Sequence, residues 1–296
     1  MMNLKNREGL TEKQFLEGYD DSKYGKPSVT VDMIVFTVDK EQFDEYSEFP
    51  EKKLKILMIK RGNHPCLGQW ALPGGFVEIE ESLEEAVARE LKEETNAENV
   101  YFEQLYTWGD VDRDKRKRII SVSYLALIDA NSQSIYGGSD ASEAKWFTVT
   151  SKVIKDEKRR IVDGYESKLE IELILQNGQD KLSSVIEYTK RVQGDTTGKT
   201  QKILDKKGIA FDHSKIIVYG LDRLRAKLWQ TDIAASLMPK KFTLAELQNL
   251  YEVILGEKLL TTDFYRKIGP LMAKDIGEIR EDYGDKESAE LYKFVF

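Results

Sequence analysis

The sequence predicts a mixed α/β domain followed by a smaller, mainly helical domain. Two patterns carry this prediction. Between residues 28 and 149, segments in which apolar and polar residues alternate flank one amphipathic helix. From residue 209 onward, apolar residues recur at helical spacing, and only short strand-like pieces remain near the end. The chain has 296 residues, a length that agrees with two domains.

The first domain is predicted to hold five strands arranged around one helix. The helix covers residues 82–95, which follow a loop that contains both Pro and Gly. Its apolar residues fall on one side at helical spacing, and they are Leu83, Val87, Ala88 and Leu91. The strands are rich in branched and aromatic residues and cover residues 28–38, 54–61, 101–109, 118–128 and 143–149. Strands on both sides of one central helix indicate a mixed α/β fold.

The middle of the chain is predicted to add a small extension and a linker. Residues 168–175 alternate strictly, and the turn and mixed segment after them allow either a hairpin or a strand–helix pair. The polar stretch 193–208 has no apolar pattern and is interpreted as a linker. The predicted boundaries are therefore 1–150 for the first domain, 151–208 for the extension and linker, and 209–296 for the last domain.

The last domain is predicted to contain three helices and a short β-hairpin. Thr243 is a candidate N-cap with Glu246 three residues later, the pattern of a capping box. The helices cover residues 213–229, 242–255 and 261–273. Two strand-like pieces follow at residues 277–282 and 290–296, and they flank a turn.

Composition and charge exclude several classes of protein. The net charge of −7 gives no general attraction to nucleic acid, so any contact with DNA must depend on a local patch. Cys66 is the single cysteine, which excludes an internal disulfide framework and favours a reducing, cytoplasmic location. No apolar run approaches the ~18 residues of a membrane span, and no secretory signal is visible, so no membrane partner is expected.

The acidic helix carries three glutamates that are predicted to share one side. Glu90, Glu93 and Glu94 lie within about one turn, where three carboxylates repel one another unless a cation compensates them. Mg²⁺, with Mn²⁺ as an alternative, prefers such oxygen ligands beside a substrate phosphate. Gly75 lets the backbone approach closely and offers a carbonyl as a further ligand, and Arg89 can orient the carboxylates. The alternative is an ordinary solvated surface helix.

The spacing of these residues resembles the Nudix box, the signature of hydrolases of nucleoside diphosphates linked to another moiety. Gly75 is followed after five residues by Glu81, and after seven more by the run Arg89-Glu90-Leu91-Lys92-Glu93-Glu94. The resemblance implies an α/β/α sandwich with a mixed sheet, metal ligation by the last three glutamates and the Gly75 carbonyl, and catalytic supporting roles for Glu81 and Arg89. Asn96 stands where the family usually has Gly, which changes a helix cap and removes no catalytic group.

The segment after the box resembles ADP-ribose pyrophosphatases of the Nudix family. Within residues 109–127, Arg113, Asp114 and Arg116 match the pattern, and Lys115 stands where proline is common. The resemblance implies that Arg113 and Arg116 bind a phosphate or a ribose of the substrate. The alternative is a basic turn between strands. Trp70 is a further candidate for the substrate site, by stacking on a base, or else an anchor of the loop in the core.

The last domain resembles the C-terminal winged helix of Nudix-related transcriptional regulators of NAD and sugar metabolism. In that family a Nudix domain senses an ADP-ribose-like ligand, and the winged helix of a dimer binds operator DNA. The candidate DNA contacts are Thr262, Arg266 and Lys267. Residues 213–296 have 13 Lys and Arg against 13 Asp and Glu, so this span has no net charge. A third interpretation is a module for dimerisation or packing.

Two functions from different classes follow from these patterns. The first is an Mg²⁺-dependent Nudix hydrolase that cleaves the pyrophosphate of ADP-ribose or a related nucleoside diphosphate sugar, and the complete set of box carboxylates favours it. The second is a ligand-responsive transcriptional regulator that binds operator DNA. The expected partners are a nucleoside diphosphate-linked small molecule, operator DNA in the second case, and a second copy of the chain in a homodimer.

Overall fold

Two β-sheets organise the chain, one of ten strands and one of three. The computed structural model describes residues 4–40, 52–95, 100–128, 141–229, 232–281 and 288–294. The strands of the large sheet are β1 (Ser28–Lys40), β2 (Lys52–Arg61), β3 (Trp70–Ala71), β4 (Gly74–Phe76), β5 (Tyr101–Trp108), β6 (Ile119–Leu127), β7 (Ala141–Ile161), β8 (Gly164–Asn177), β9 (Asp180–Gln193) and β10 (Thr196–Lys207). Those of the small sheet are β11 (Phe242–Thr243), β12 (Met272–Glu281) and β13 (Ser288–Phe294). The α-helices are α1 (Glu12–Glu17), α2 (Leu83–Thr95), α3 (His213–Lys227), α4 (Leu244–Leu255) and α5 (Thr261–Ile268).

The large sheet is mixed, as the sequence predicted. Its strand order is β10-β9-β8-β7-β2-β1-β6-β5, with β3 paired to β2 and β4 paired to β1. β1 and β6 run parallel, and the other pairs are antiparallel. The pairing of β4 with β1 brings Gly75 opposite Val31, so the start of the Nudix box is fixed to β1.

Helices cover both faces of this sheet and give the predicted α/β/α sandwich. Side chains of β1 alternate between the faces because successive residues of a strand point in opposite directions. Met33 and Val35 pack with the apolar side of α2, whereas Ile34 and Phe36 belong to the core beneath α3. The contact with α3 is close, since a Cβ at Gly220 would lie 2.3 Å from Cδ1 of Ile34. The side of α2 that packs here is shifted from the predicted one, because Ala86 is buried and Ala88 is exposed.

The extension at residues 151–208 differs from its prediction. β7 to β10 form a four-stranded antiparallel meander that continues the large sheet, so the mixed segment after β8 is the strand β9 and no helix forms there. The stretch 193–208, interpreted as a linker, is almost entirely β10. The linker prediction is therefore wrong. β10 is an edge strand with most of its side chains in solvent, so it needs no apolar alternation to form.

α3 joins the two parts of the chain. It was expected in the last domain, yet it packs on the large sheet, and it also contacts α4. Arg225 near its C-terminal end donates from Nε to the carbonyl of Ile254, at 3.0 Å, and from Nη1 to Oγ of Ser151, also at 3.0 Å. One apolar core therefore runs from the sheet through α3 into the last domain. The boundary at residue 209 stays a prediction.

The last domain has the helices and strands of a winged helix. The capping box that begins α4 is confirmed, because Thr243 Oγ1 accepts from the Glu246 amide and Glu246 Oε2 accepts from the Thr243 amide. α5 ends at Ile268, five residues before its predicted end, because a 3₁₀ turn with Pro270 follows and β12 then begins. The predicted strand pieces correspond to β12 and β13. The turn between them and the cap at Asn96 lie outside the described residues.

Candidate functional site

Arg89 is the centre of the polar contacts around the Nudix box. Its Nε and Nη2 donate to the two carboxylate oxygens of Glu81, at 3.1 and 2.8 Å, a bidentate pair. Its Nη1 donates to Oε1 of Glu90 at 2.7 Å, and its Nη2 also reaches the carbonyl of Phe76 at 3.2 Å. The hydrogen bond from Arg89 and that from the Glu78 amide lower the pKa of Glu81. Arg89 therefore orients two of the predicted carboxylates and ties α2 to β4.

Glu90 lies directly against the backbone of Gly75. A Cβ at residue 75 would be 2.0 Å from Oε1 of Glu90, so the carboxylate occupies the volume that a side chain there would fill. Glu90 is buried, and this burial raises its pKa, partly offset by the hydrogen bond from Arg89, while Glu93 and Glu94 raise it further. The site therefore concentrates negative charge where the backbone can approach.

The residues at this position fit a divalent cation in part. Glu90 and Glu94 are buried carboxylates on one side of α2, and Glu94 lines a cavity together with Gly75. Glu93 is about half exposed and lies 3.7 Å from Arg89. Within the described part of the chain, no three His, Cys, Asp or Glu side chains converge closely enough to hold a metal. The chemistry of the ligands suits Mg²⁺, with Glu90, Glu94 and the Gly75 carbonyl as the residues that would hold it, and the predicted ligation by Glu93 stays a prediction.

The cavity beside Gly75, named here the Nudix-box cavity, has a volume of about 200 Å³. Its floor comes from the glycines of β4 and from β1, and its walls come from the loop after β5 and the segment before α3. The polar and aromatic side chains that line it are Thr30, Asp32, Arg61, Asn63, Phe76, Glu94, Arg113, Asp114, Arg116, Phe211 and His213. The structure thus brings the box together with both arginines that the sequence predicted for the substrate.

Arg113 lies at this cavity but is held by carboxylates of the protein. Its Nη2 and Nε donate to the two oxygens of Asp212, at 2.9 and 3.1 Å, and Nη2 is 3.5 Å from Oδ2 of Asp32. Its side chain is 5% exposed. Asp212 precedes α3 as its N-cap residue, and its side chain makes no capping hydrogen bond. The guanidinium therefore joins the loop after β5 to the start of α3.

His213 completes this buried group. Its Nδ1 accepts the amide hydrogen of Leu72 at 2.8 Å, which places the proton of the neutral ring on Nε2, 3.6 Å from Oδ1 of Asp32. Burial lowers the pKa of His213, against the attraction of Asp32 and Asp212. The hydroxyl of Ser121 donates to Asp32. Residues of β1 and β6, of the segments after β3 and β5, and of the start of α3 therefore meet in one buried polar network.

Arg116 has a different setting, at the edge of the cavity. Its Nη2 donates to Oδ2 of Asp114 at 2.8 Å, and its guanidinium lies over two rings, 5.3 Å from the centroid of Phe76 and 5.8 Å from that of Phe211. Arg61 is the last residue of β2, and its guanidinium lies 4.9 Å from the centroid of the Phe211 ring. Planar cations between aromatic rings form a surface on which a nucleobase can stack.

Sequence reasoning missed the aromatic residues of this surface and offered Trp70, either as a stacking residue or as an anchor in the core. The Trp70 ring is 4% exposed and packs edge-on against Phe147 at 4.8 Å, so it anchors the loop in the core and does not line the Nudix-box cavity. Its expected role as a base-stacking residue is not supported by this position. Phe211 is far from the box in sequence, and only folding brings it there.

The candidate DNA contacts lie on α5. Thr262, Arg266 and Lys267 are all exposed on this helix, while Phe264 and Ile268 on its other side are buried. Arg266 pairs with Asp263 on the same helix at 2.9 Å. The ammonium of Lys267 lies 4.5 Å from the centroid of the Trp229 ring. The three side chains thus face solvent on the helix that a winged helix presents to DNA.

Comparison with known proteins agrees with both halves of this architecture. The NUDIX domain family matches residues 48–163, and the NrtR DNA-binding winged helix domain family matches residues 234–294. The ADPR responsive transcriptional repressor NtrR of Acinetobacter baylyi is 31% identical over 292 residues, which cover 96% of this chain and 89% of that protein. The chain belongs to the family of Nudix proteins with an NrtR winged helix.

Other relatives of this Nudix–NrtR chain cover one or both domains. An ADP-ribose pyrophosphatase of Methanocaldococcus jannaschii is 36% identical over 159 residues, covering 50% of the chain and 84% of that protein. A crystal structure of a MutT/nudix family protein from Enterococcus faecalis has a TM-score of 0.66 at 26% identity, over 97% of this chain and 94% of that one. The Shewanella oneidensis NrtR structure with a 27mer DNA has a TM-score of 0.57 at 27% identity, over 90% and 93%.

These matches confirm the predicted family and fold class. They do not decide between catalysis and regulation, because the relatives include a repressor and a pyrophosphatase. Across the part of this Nudix–NrtR chain that the structure describes, no helix is both long enough and apolar enough to span a bilayer.

Proposed function

We propose that this Nudix–NrtR protein is a transcriptional regulator that binds operator DNA and responds to ADP-ribose or a related nucleoside diphosphate sugar. The observation that carries the proposal is α3, which packs on the sheet of the Nudix-box cavity and on α4 of the winged helix. A ligand that changes the position of α3 therefore changes the support of the DNA-binding helices. The full-length match to a repressor named for its response to ADPR supports the same function.

The ligand is assigned by the chemistry of the cavity. Arg116 with the rings of Phe76 and Phe211 would take the planar base. Mg²⁺ held by Glu90, Glu94 and the Gly75 carbonyl would supply the positive charge that a diphosphate requires. The cavity of about 200 Å³ is smaller than a nucleoside diphosphate sugar, so the aromatic residues at its edge must carry part of the ligand.

DNA binding is assigned to α5 in a homodimer. A winged helix reads one half-site of a palindromic operator with its recognition helix in the major groove. Thr262, Arg266 and Lys267 are exposed on this helix and supply hydroxyl, guanidinium and ammonium donors. Because the domain has no net positive charge, these few donors must supply much of the attraction to phosphate.

A mobility-shift titration with DNA from the gene's own neighbourhood tests this function. We expect a complex whose affinity falls with salt and falls again when ADP-ribose is added. Arg266→Ala should weaken operator binding by about 1–3 kcal/mol while leaving ADP-ribose binding unchanged. Lys258→Ala, which alters an exposed lysine outside α5, is the matched control. The proposal is wrong if no neighbourhood DNA binds at low salt.

Hydrolysis of the pyrophosphate is the second candidate, and one specific observation favours it. The bidentate pair of Arg89 with Glu81, together with the bond from Arg89 to Glu90, holds the Nudix-box carboxylates in order beside the cavity. A bound divalent metal would neutralise phosphate charge and activate water there. The carboxylates would hold that metal, and Arg89 would keep them in position.

A hydrolysis screen over nucleoside diphosphate derivatives, with Mg²⁺ and with Mn²⁺, separates the two functions. Turnover that Glu93→Gln or Glu94→Gln reduces by orders of magnitude, with folding nearly intact, would support the hydrolase. Unchanged turnover in either variant would contradict the metal assignment. Binding of ADP-ribose without turnover, in a protein that also shifts DNA, would select the regulator.

A further inference from the structure

A second cavity lies beside the Nudix-box cavity, and its lining has four lysines and one arginine against three aspartates. We name it the basic cavity. Its volume is about 690 Å³, which is large enough for a small organic phosphate. Its charged walls come from the loop after β5, from β10 and from the start of α3. The basic side chains and the ring that line it are Arg113, Lys115, Lys202, Lys206, Phe211 and Lys215.

Lys206 is the residue whose surroundings need an explanation. It is half-buried, and its ammonium donates to the carbonyl of Phe211. Burial lowers the pKa of Lys206, Lys115 acts in the same direction, and Cys66 and Asp212 attract the charge. Within the described residues, no carboxylate lies within ion-pair distance of its Nζ. A partly desolvated ammonium with a carbonyl as its hydrogen-bond partner is costly unless an anion joins it.

The other charges of the basic cavity do not compensate Lys206. Asp212 is already bound by Arg113, and Asp110 pairs with Lys215 at 3.3 Å. Lys115 and Lys202 are exposed at the edge, and in the described part of the chain neither has a carboxylate within ion-pair distance. Only Asp112 among the carboxylates that line the cavity remains to oppose them. The cavity therefore carries an excess of positive charge.

We propose that the basic cavity is a binding site for a small phosphate-bearing molecule, separate from the Nudix-box cavity. Lys206 would bind the phosphoryl oxygens from the interior, and Lys115 and Lys202 would bind them from the edge. The Phe211 ring forms one wall, against which the apolar part of such a molecule can pack. The proposal goes beyond the proposed function and does not depend on DNA binding or on hydrolysis.

The position of the basic cavity gives this site a consequence for the Nudix-box cavity. Arg113 and Phe211 line both cavities, so a ligand in one contacts the residues that shape the other. An anion beside Arg113 competes with Asp212 for the same guanidinium donors. The two ligands are therefore expected to change each other's affinity, by an equal factor in both directions.

Titration calorimetry on the full chain tests the site, with inorganic phosphate, pyrophosphate and ribose 5-phosphate as probes. EDTA is present, which removes metal-bridged binding at Glu90 and Glu94. The informative variants are Lys202→Met and Lys206→Met, and Lys207→Met is the matched control, since Lys207 is exposed on the same strand outside the cavity. If ribose 5-phosphate binds more tightly than phosphate and pyrophosphate do, the ligand is an organic phosphate.

The expected result is saturable binding that weakens about tenfold or more in Lys202→Met and Lys206→Met and is unchanged in Lys207→Met. Lys206→Met removes a half-buried charge and should keep the fold, and Lys202→Met changes an exposed residue, so the test stands even if the first variant is unstable. Absence of saturable binding overturns the proposal, and so does equal binding by all three variants. Complete displacement of the probe by saturating ADP-ribose, in a parallel titration with Mg²⁺ in place of EDTA, overturns the claim of a separate site.

Discussion

The carboxylate of Glu90 fills the space beside the backbone of residue 75, and this space is open because residue 75 is a glycine. The carboxylate lies where the Cβ of any other residue would be, and Arg89 holds it there at 2.7 Å. Arg89 in turn holds Glu81 with two bonds. The glycine of the box therefore has a steric role as well as the predicted role of offering a carbonyl. Sequence spacing indicated that these residues belong together, but the direct contact is visible only in the fold.

Gly75→Ala should displace the Glu90 carboxylate and break its hydrogen bond with Arg89, because the new Cβ would lie 2.0 Å from Oε1. We expect the free energy of unfolding to fall by about 1–3 kcal/mol. Mg²⁺-dependent binding of ADP-ribose should weaken as well. Urea denaturation and titration calorimetry measure the two effects. Gly25→Ala is the control, since a Cβ there meets open space, and equal behaviour of the two variants would refute the contact.

Burial of His213 makes the stability of the protein depend on pH in a definite direction. Its pKa in the folded chain is below the ordinary value of about 6.5, because the ring is buried. As the pH falls below about 6.5, the unfolded chain takes up a proton that the folded chain does not. Stability is therefore complete above this pH and is lost toward acid, by up to about 1.4 kcal/mol per pH unit until the folded pKa is reached.

Thermal unfolding of His213→Gln between about pH 7.5 and 5.5 tests this linkage. The variant should lose less stability toward acid than the wild type, whatever its stability at neutral pH, because its side chain takes up no proton. His64→Gln changes the only other histidine, which is exposed, and should keep the wild-type slope. A wild-type slope in His213→Gln would show that other groups cause the acid loss.

At the scale of elements, the sequence predicted those helices and strands that have a local sequence pattern, such as a capping box or a regular spacing of apolar residues. The capping box of α4 is present in Thr243 and Glu246, and the apolar period of α2 is present in Val87 and Leu91. β10 has no such signal, because an edge strand in solvent forms through backbone pairing with β9. The buried network of Arg113 with Asp212 lies beyond local reasoning, since it joins residues 99 positions apart.

The pair of Arg113 with Asp212 attaches the loop after β5 to the start of α3, so its removal should lower the free energy of unfolding. Asp212→Ala leaves the guanidinium of Arg113 buried without its bidentate partner, and the Asp32 carboxylate lies 3.5 Å away. We expect the free energy of unfolding to fall by about 3–5 kcal/mol. Asp112→Ala changes an exposed carboxylate of the same loop and should stay within about 0.5 kcal/mol of the wild type. Urea denaturation of both variants measures the difference, and a small effect at Asp212 would contradict the anchoring role.

At the scale of the whole molecule, α3 connects the two domains because it packs on the large sheet and also contacts α4. The core on its buried side is continuous with the core of the winged helix. Tyr251 of α4 donates to the carbonyl of Leu228 at 2.8 Å, just after α3 ends, and Arg225 reaches both α4 and β7. A helix held at both ends transmits a displacement from one end to the other. Such coupling would be equal in both directions for two ligands.

Arg225→Met should reduce this coupling, because it removes the bonds to Ile254 and Ser151 and keeps much of the apolar side chain volume. The factor by which ADP-ribose weakens operator binding should fall toward one, and the reciprocal factor should fall equally. Anisotropy titrations of DNA with and without ADP-ribose measure it. Arg223→Met, at an exposed position of the same helix, should keep the wild-type factor. Identical factors in both variants would exclude a role for Arg225.

The polar edge formed by β10 also has a consequence for how the protein behaves at high concentration. An outermost strand presents unpaired amides and carbonyls to which a strand of another chain can add. β10 is the last strand on its side of the ten-stranded sheet, and it carries Lys199, Lys202, Lys206 and Lys207. If β10 of a second copy approached this edge, the lysines of the two strands would repel one another. The polar, lysine-rich composition of β10 gives no apolar pattern from which a strand is predicted, and the same composition protects the edge of the sheet against aggregation.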